Sequence, residues 1–208
     1  MHKRTCNHAA LTPVSGFEFT IVELKQGTRR WLEWRHQGIG ASDAPTIMGE
    51  NPWKSAPELL HEKCGPVWHS VQNEAMARGT RLEPEARRRY VARTGNNVKP
   101  ACLQSVQHAW LRASVDGIVA NRKAIVEIKC GESVYRNTSQ SRCVPDYYYG
   151  QLQHILAITG LASLDFWCYL PGRPELLVPI ARDDKYIKHL IATELKFWNG
   201  VKRARAGR

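Results

Sequence analysis

Two stretches of alternating apolar residues, 110–119 and 124–130, flank a four-residue turn, and this pattern constrains the fold more than any other part of the chain. Alternation with a period of two is typical of β-strands, and the short turn predicts that the two strands pair as an antiparallel hairpin. With Asn121-Arg122 at the apex, Asp116 lies opposite Glu127 in this hairpin. Their Cβ atoms are then about 5 Å apart.

Charged residues interrupt the apolar pattern on one face of the predicted hairpin. Because side chains alternate along a strand, Glu127 and Lys129 lie on one face while their apolar neighbours turn to the core. The facing carboxylates of Asp116 and Glu127 repel each other unless a cation lies between them. Carboxylates that hold Mg²⁺ beside a lysine indicate phosphodiester hydrolysis, in which Lys129 orients a water or stabilises negative charge. The alternative is a solvated outer strand face with Asp116 as a turn residue, but the apolar alternation favours an inner strand and therefore the site.

The rest of the sequence predicts helices around a mixed central sheet. Helices are expected at residues 28–38, 57–64, 80–94 and 147–159 and from Asp183 to Trp198, and further strands at 164–170 and 176–180. We expect one domain over residues 1–208, because no linker or repeat divides the chain. A loose N-terminal arm (1–17) and a mobile, basic C-terminal tail (201–208) complete this prediction.

The charge balance predicts a polyanionic partner. The chain of 208 residues carries 30 Lys and Arg against 19 Asp and Glu, a formal net charge of +11. This excess favours nucleic acid, with an anionic membrane surface as the second alternative. The six cysteines are scattered without a CxxC pair, so we expect reduced thiols and a cytoplasmic location. The most apolar stretch, 155–170, is too short and too polar to span a bilayer, and we expect no export signal at the N-terminus.

Five segments carry a resemblance to a known family. They are Trp34-Arg35 with Gly38–Ser42, Gly79–Arg87, Ser114–Gly117, Val126–Cys130 and Tyr148–Gln153. In this order they resemble the YqaJ-type, lambda-exonuclease-like phage recombination exonucleases of the PD-(D/E)xK nuclease superfamily. The resemblance covers about residues 28–165, and Val115 stands where the superfamily's name has proline, a position that varies within it.

The resemblance implies a fold and a set of functional residues. The fold is α/β (α+β), a central mixed β-sheet flanked by α-helices. The implied metal ligands are Asp116, Glu127 and Ile128, which would hold Mg²⁺, expected as a pair of ions, with Mn²⁺ as a substitute. The implied catalytic residues are Glu83, Asp116, Glu127, Lys129 and Gln151. The residues implied to hold the 5′-phosphate of a DNA end are Arg35 and Ser42.

Two of the implied catalytic residues have alternative explanations. Thr80 and Glu83 have the spacing of a capping box, so Glu83 alternatively closes a helix N-terminus. Gln151 is alternatively an exposed helix residue, although it lies on the predicted buried stripe, where an unpaired amide is unusual. Tyr148, one turn earlier, is a lesser candidate for the same site.

Alternatives also remain for the residues implied to contact DNA. An arginine and a hydroxyl near a glycine-rich turn are plausible ligands of an anion, which agrees with phosphate binding by Arg35 and Ser42. Arg35 alternatively packs on Trp31 and Trp34 as a cation–π partner. Met76 is either core filler or an apolar wedge at a DNA fork.

The resemblance implies a Mg²⁺-dependent 5′→3′ exodeoxyribonuclease. Such an enzyme degrades one strand of linear double-stranded DNA and leaves 3′ overhangs for phage-type homologous recombination. A homotrimer, a single-strand annealing protein as partner and a bacterial or phage-encoded cytoplasmic protein are implied in the same way, and no membrane partner is expected. The alternatives are an endonuclease or junction resolvase with the same metal core, and a non-catalytic DNA-binding module.

Overall fold

A seven-stranded sheet forms the centre of the protein in a computed structural model, which describes residues 18–67 and 74–207. The predicted N-terminal arm, 1–17, lies outside the described residues. The strands are β1 (Phe19–Val22), β2 (Ile39–Gly40), β3 (Val98–Ser105), β4 (Leu111–Val119), β5 (Ile125–Lys129), β6 (Ser163–Cys168) and β7 (Leu176–Ala181). Their order is β1-β3-β4-β5-β6-β7, and β2 pairs with β4. Parallel β5–β6 and β2–β4 pairs among antiparallel ones make the sheet mixed, which confirms the predicted fold class.

The β4–β5 hairpin has the predicted register. Gly117 pairs with Val126 and Ile118 pairs with Ile125, and this register places Asp116 opposite Glu127. Glycine is required at position 117, because a Cβ atom there would lie 2.7 Å from a methyl carbon of Val126. Close contact between the strands therefore explains the glycine that follows Asp116.

Helices cover both faces of the sheet. They are α1 (Arg29–His36), α2 (Ala44–Ile47), α3 (Ala56–Cys64), α4 (Glu74–Thr94), α5 (Glu132–Ser141), α6 (Asp146–Thr159) and α7 (Asp184–Ala206). On one face, Ala86 and Tyr90 of α4 pack in a core cluster with Val126 and Ile128. On the other face, α6 is buried along most of its length and packs in the main core cluster with Ile125. Alternate residues of β5 therefore face different helices, and Glu127 and Lys129 lie on the α6 side.

Two predicted helix boundaries are wrong. The helix expected to begin at Thr80 extends back to Glu74, and the Thr80 hydroxyl donates to the main-chain oxygen of Met76 at 3.1 Å. Thr80 is thus an interior helix residue and no capping box forms with Glu83.

No described helix combines the length and the apolar character that a membrane span requires.

The last helix, predicted to end at Trp198 before a mobile tail (201–208), continues as helix α7 to Ala206. Val201 is fully buried in a cluster with Ile39 and Leu59, which anchors this part of the helix. Arg205 donates from Nε to the main-chain oxygen of Lys63 at 2.9 Å. The basic residues of the tail are therefore spaced along a helix that packs on α3.

Candidate active site

Glu127 lies at the centre of a cluster of polar side chains on the α6 side of the sheet. It is only 2% exposed, although it carries a carboxylate. Lys129 Nζ donates to Glu127 Oε1 at 2.7 Å, and Gln151 Nε2 donates to the same oxygen at 2.5 Å. The other oxygen, Oε2, is buried and has no hydrogen-bond partner among the described residues.

Asp116 faces this cluster from the neighbouring strand. Its Oδ2 atom accepts a hydrogen bond from the main-chain N–H of Ile128 at 2.7 Å. Burial, followed by the charge of Glu127, raises the pKa of Asp116 well above its usual value. The ionised form of Asp116 is thus unfavourable beside Glu127 until a further positive charge is added.

Lys129 is positively charged in this environment. Burial alone would lower its pKa, but the carboxylates of Glu127 and Asp116 outweigh that effect and raise it. The ammonium also lies 4.8 Å from the ring centroid of Tyr148. Burial raises the pKa of the Tyr148 phenol, although Lys129 opposes that shift. Tyr148, the lesser candidate from the sequence, therefore belongs to the same cluster.

Glu83 approaches the cluster from α4 on the other face of the sheet. It forms an ion pair with Arg87 one turn later, and Arg87 Nε donates to the main-chain oxygen of Asp116 at 2.8 Å. Burial raises the pKa of Glu83, with a further contribution from Glu127 that Arg87 opposes. The Glu83 carboxylate itself contacts Arg87, which connects it with the main chain of Asp116.

The donor atoms of the cluster suit a hard divalent cation. Asp116 and Glu127 offer carboxylate oxygens, and Glu127 Oε2 is a buried acceptor without a donor. Within the described ranges, no group of three or more His, Cys, Asp and Glu is arranged to hold a metal ion. Mg²⁺ commonly binds through one or two carboxylates and keeps several waters, so a pair of carboxylates with the implied ligand Ile128 is compatible with it.

A pocket beside Gln151 contains the residues implied to hold phosphate. Arg35 Nη2 donates to Ser42 Oγ at 2.6 Å, and the Arg35 guanidinium also lies 4.7 Å from the ring centroid of Trp31. The cation–π contact and the polar contact thus coexist. The pocket is lined by Gln26, Trp31, Trp34, Arg35, Gly40, Ala41, Ser42, Arg112, Ser114 and Gln151. Gln151 therefore belongs to both the pocket and the carboxylate cluster.

A buried ion pair supports the turn that carries Ser42. Lys63 Nζ lies 2.7 Å from Asp43 Oδ2 and donates to the main-chain oxygen of Gly38 at 2.8 Å. The main-chain N–H of Gly40 donates to Asp43 Oδ2 at 2.9 Å. Burial would raise the pKa of Asp43, but the charges of Lys63 and Arg35 lower it below its usual value.

Ser114 and Lys63 belong to this region although the sequence did not mark either as a site residue. Ser114 Oγ accepts a hydrogen bond from Trp31 Nε1 at 2.8 Å and lines the pocket two residues before Asp116. Its place on the strand, on the same side as Asp116, could have suggested it. Lys63 is only 6% exposed at the end of α3, and no pattern in the sequence marks it as buried.

A known domain family matches more than half of the chain. The family model of YqaJ-like viral recombinase domains matches residues 30–162. The uncharacterised protein YqaJ of Bacillus subtilis strain 168 is 34% identical over 175 residues, which cover 81% of this chain and 54% of that protein. The uncharacterised protein R354 of Acanthamoeba polyphaga mimivirus is 28% identical over 162 residues, which cover 70% of this chain and 29% of that protein. The chain thus spans about half of the first relative and less than a third of the second.

A solved structure has the same architecture. The alkaline exonuclease LHK-Exo from Laribacter hongkongensis superposes with a TM-score of 0.77 at 27% sequence identity. The match covers 86% of this chain and 95% of that one. LHK-Exo has also been solved in complex with dAMP.

Proposed function

We propose that this chain, which belongs to the family of YqaJ-like viral recombinase domains, is a Mg²⁺-dependent exodeoxyribonuclease that acts on the ends of double-stranded DNA. Its fold is that of the PD-(D/E)xK nucleases. The proposed polarity is 5′→3′, which leaves 3′ single-stranded overhangs for phage-type recombination. The likeness to an alkaline exonuclease supports nuclease activity, and the positive net charge supports a DNA substrate.

One observation carries the proposal. Lys129 and Gln151 both donate to Oε1 of Glu127, which leaves Oε2 buried and without a donor among the described residues. One oxygen of this carboxylate accepts two hydrogen bonds, the other has no donor, and a second carboxylate lies opposite. Such an arrangement suits the binding of a cation better than a purely structural role. A non-catalytic DNA-binding module would not require this arrangement.

Each residue of the cluster has a separate proposed role. Asp116, Glu127 and the implied ligand Ile128 would hold the metal, which would polarise the phosphate and lower the pKa of a water. Lys129 stabilises negative charge that develops on the reacting phosphate. Gln151 fixes the orientation of Glu127, and Glu83, through Arg87, supports the main chain at Asp116.

A substrate comparison tests the function. With Mg²⁺ present, we expect the protein to shorten end-labelled linear duplex and to leave closed circular duplex intact. EDTA should abolish the reaction, and Mn²⁺ should restore it. Cleavage of the circle would instead indicate the endonuclease or resolvase alternative. Binding to both substrates without cleavage of either would indicate a non-catalytic module.

The pocket next to Gln151 predicts a preference for 5′-phosphorylated ends. A terminal phosphate carries nearly one more charge than an internal diester, and Arg35 can bind two of its oxygens in a fork. A charge-assisted contact of this kind contributes roughly 1.5–3 kcal/mol, or about ten- to a hundredfold in initiation. We therefore expect Arg35→Ala to slow digestion of phosphorylated ends by that factor and to change hydroxyl ends much less.

The ratio of initial rates on the two kinds of end measures this effect. Arg30→Ala is the matched control, because Arg30 is an exposed residue of the same helix. Arg35→Lys should recover only part of the preference, since lysine keeps the charge without the planar fork. If Arg35→Ala lowers the thermal midpoint and leaves the ratio unchanged, Arg35 serves only to pack against Trp31.

The proposed assembly is a homotrimer that works with a single-strand annealing protein. The physical motive is size, because a 208-residue domain is too small to enclose duplex DNA by itself. A closed oligomer would keep the enzyme on its substrate through many cycles. The net charge of +11 would then favour binding of the DNA that the oligomer encloses.

A further inference from the structure

We propose that Trp53 is a base-stacking residue that holds a nucleobase of the bound DNA end beside the active site. Trp53 lies in the loop between α2 and α3, outside every segment that carries the family resemblance. This inference rests on the proposed function, since it takes DNA as the substrate. It assigns a substrate contact to a residue that the charged cluster and the phosphate pocket do not include.

Trp53 presents an unusually exposed indole. The residue is 72% exposed, more than any other large apolar residue in the described part of the chain. The Trp53 main-chain N–H donates to Asn51 Oδ1 at 2.9 Å, and the indole contacts the ring of Tyr147. The indole therefore presents a large apolar ring surface to solvent.

A continuous series of aromatic contacts connects Trp53 with the active site. Its ring centroid lies 4.9 Å from that of Tyr147, and the two rings are nearly perpendicular, with an interplanar angle of 75°. The Tyr147 and Tyr148 centroids are 4.7 Å apart. Tyr148 in turn has the ammonium of Lys129 at 4.8 Å from its centroid. Trp53 therefore lies at the outer end of an aromatic series whose inner end contacts the reacting centre.

Stacking on a base is the chemistry that suits such a series. Every base has a π-face, so an exposed aromatic ring next to cationic groups binds nucleic acid without sequence preference. Lys129, at one end of the series, lies at the reacting phosphate in the proposed function, and the ring at the other end contacts the base. An apolar protein partner would not require the cation, and the net charge of +11 favours a polyanion.

Binding measurements without turnover test the proposal. A fluorescently labelled, 5′-phosphorylated duplex is titrated with protein in EDTA, and anisotropy gives Kd while intrinsic tryptophan emission reports on the indoles. Trp53→Ser should weaken binding roughly five- to a hundredfold, equivalent to about 1–3 kcal/mol of stacking. Trp53→Phe keeps an aromatic ring, so it should bind within about threefold of the wild type and lose part of the emission change. Val106→Ser is the control, because Val106 is also an exposed apolar residue, 54% exposed.

The outcomes separate this proposal from the proposed function. If Trp53→Ser binds DNA as tightly as the wild type, or if Trp53→Phe is as weak as Trp53→Ser, stacking is wrong even when the enzyme digests linear DNA. Weakened binding by Trp53→Ser in a protein that cleaves no DNA supports stacking and overturns the nuclease. A wild type that binds no DNA overturns both. The thermal midpoint of each variant should stay within a few degrees of the wild-type midpoint, since an exposed side chain contributes little to stability.

Discussion

Asp116→Asn and Glu127→Gln should each reduce DNA cleavage at least about a thousandfold in Mg²⁺. Metal-ion catalysis contributes several kcal/mol to transition-state stabilisation, and about 4 kcal/mol corresponds to that factor. Both substitutions keep the hydrogen bonds of the site. An asparagine oxygen still accepts from the Ile128 N–H, and a glutamine oxygen still accepts from Lys129 and Gln151. The loss of cleavage activity should therefore result from the loss of the carboxylate charge.

Stability measurements distinguish loss of the metal site from loss of the fold. Burial and Glu127 raise the pKa of Asp116, so Asp116→Asn removes an unfavourable charge and should be at least as stable as the wild type in EDTA. Mg²⁺ or Ca²⁺ should raise the thermal midpoint of the wild type and of neither variant. Ca²⁺ should not support turnover. Glu62→Gln, which changes an exposed carboxylate, is the control. More than a few per cent of wild-type activity in either site variant would refute the metal assignment.

Lys129→Ala should lose roughly a hundred- to a thousandfold in kcat while it still binds DNA ends. Removal of one donor to developing negative charge typically costs that much. Affinity, in contrast, comes from many distributed contacts with the phosphate backbone. Single-turnover rates on a labelled duplex give the chemical step, and anisotropy in EDTA gives the affinity.

A second substitution controls for the ion pair that Lys129 forms. Lys129→Ala leaves Glu127 without its cation, so Lys129→Met, which keeps most of the volume, should show the same kinetic loss. Lys99→Met changes an exposed lysine on β3 and should alter neither rate nor affinity. If rate and affinity fall by the same factor in the Lys129 variants, Lys129 is a DNA-anchoring residue.

Local patterns predicted one part of the site correctly. Alternation and a short turn fix both the strands and their register, and so Asp116 was placed opposite Glu127 from the sequence alone. The same reasoning failed for β3, because Pro100 and a shift in register between Lys99 and Ala101 interrupt the alternation. It also failed for α5, a polar helix in which Val134 and Thr138 are the buried residues.

Most of the described helices were also predictable from local patterns, but the start of α4 and the end of α7 were not. The spacing of Thr80 and Glu83 fits a capping box, yet α4 continues through this point. Local capping chemistry marks where a helix is able to begin, but it does not by itself decide whether a helix begins there. The same holds for α7, whose last turns are stabilised by the burial of Val201.

By itself, then, the sequence determined the residue types of the site, the hairpin register and the family resemblance. Only the tertiary structure decided which groups share an atom or a pocket. Gln151 reaches Glu127 across a separation of 24 residues, and Trp31 reaches Ser114 across 83. The physical reason is the separation along the chain over which each kind of interaction acts. Backbone periodicity and turns act between near neighbours in the chain, whereas these contacts form only when the helices pack on the sheet and bring distant segments together.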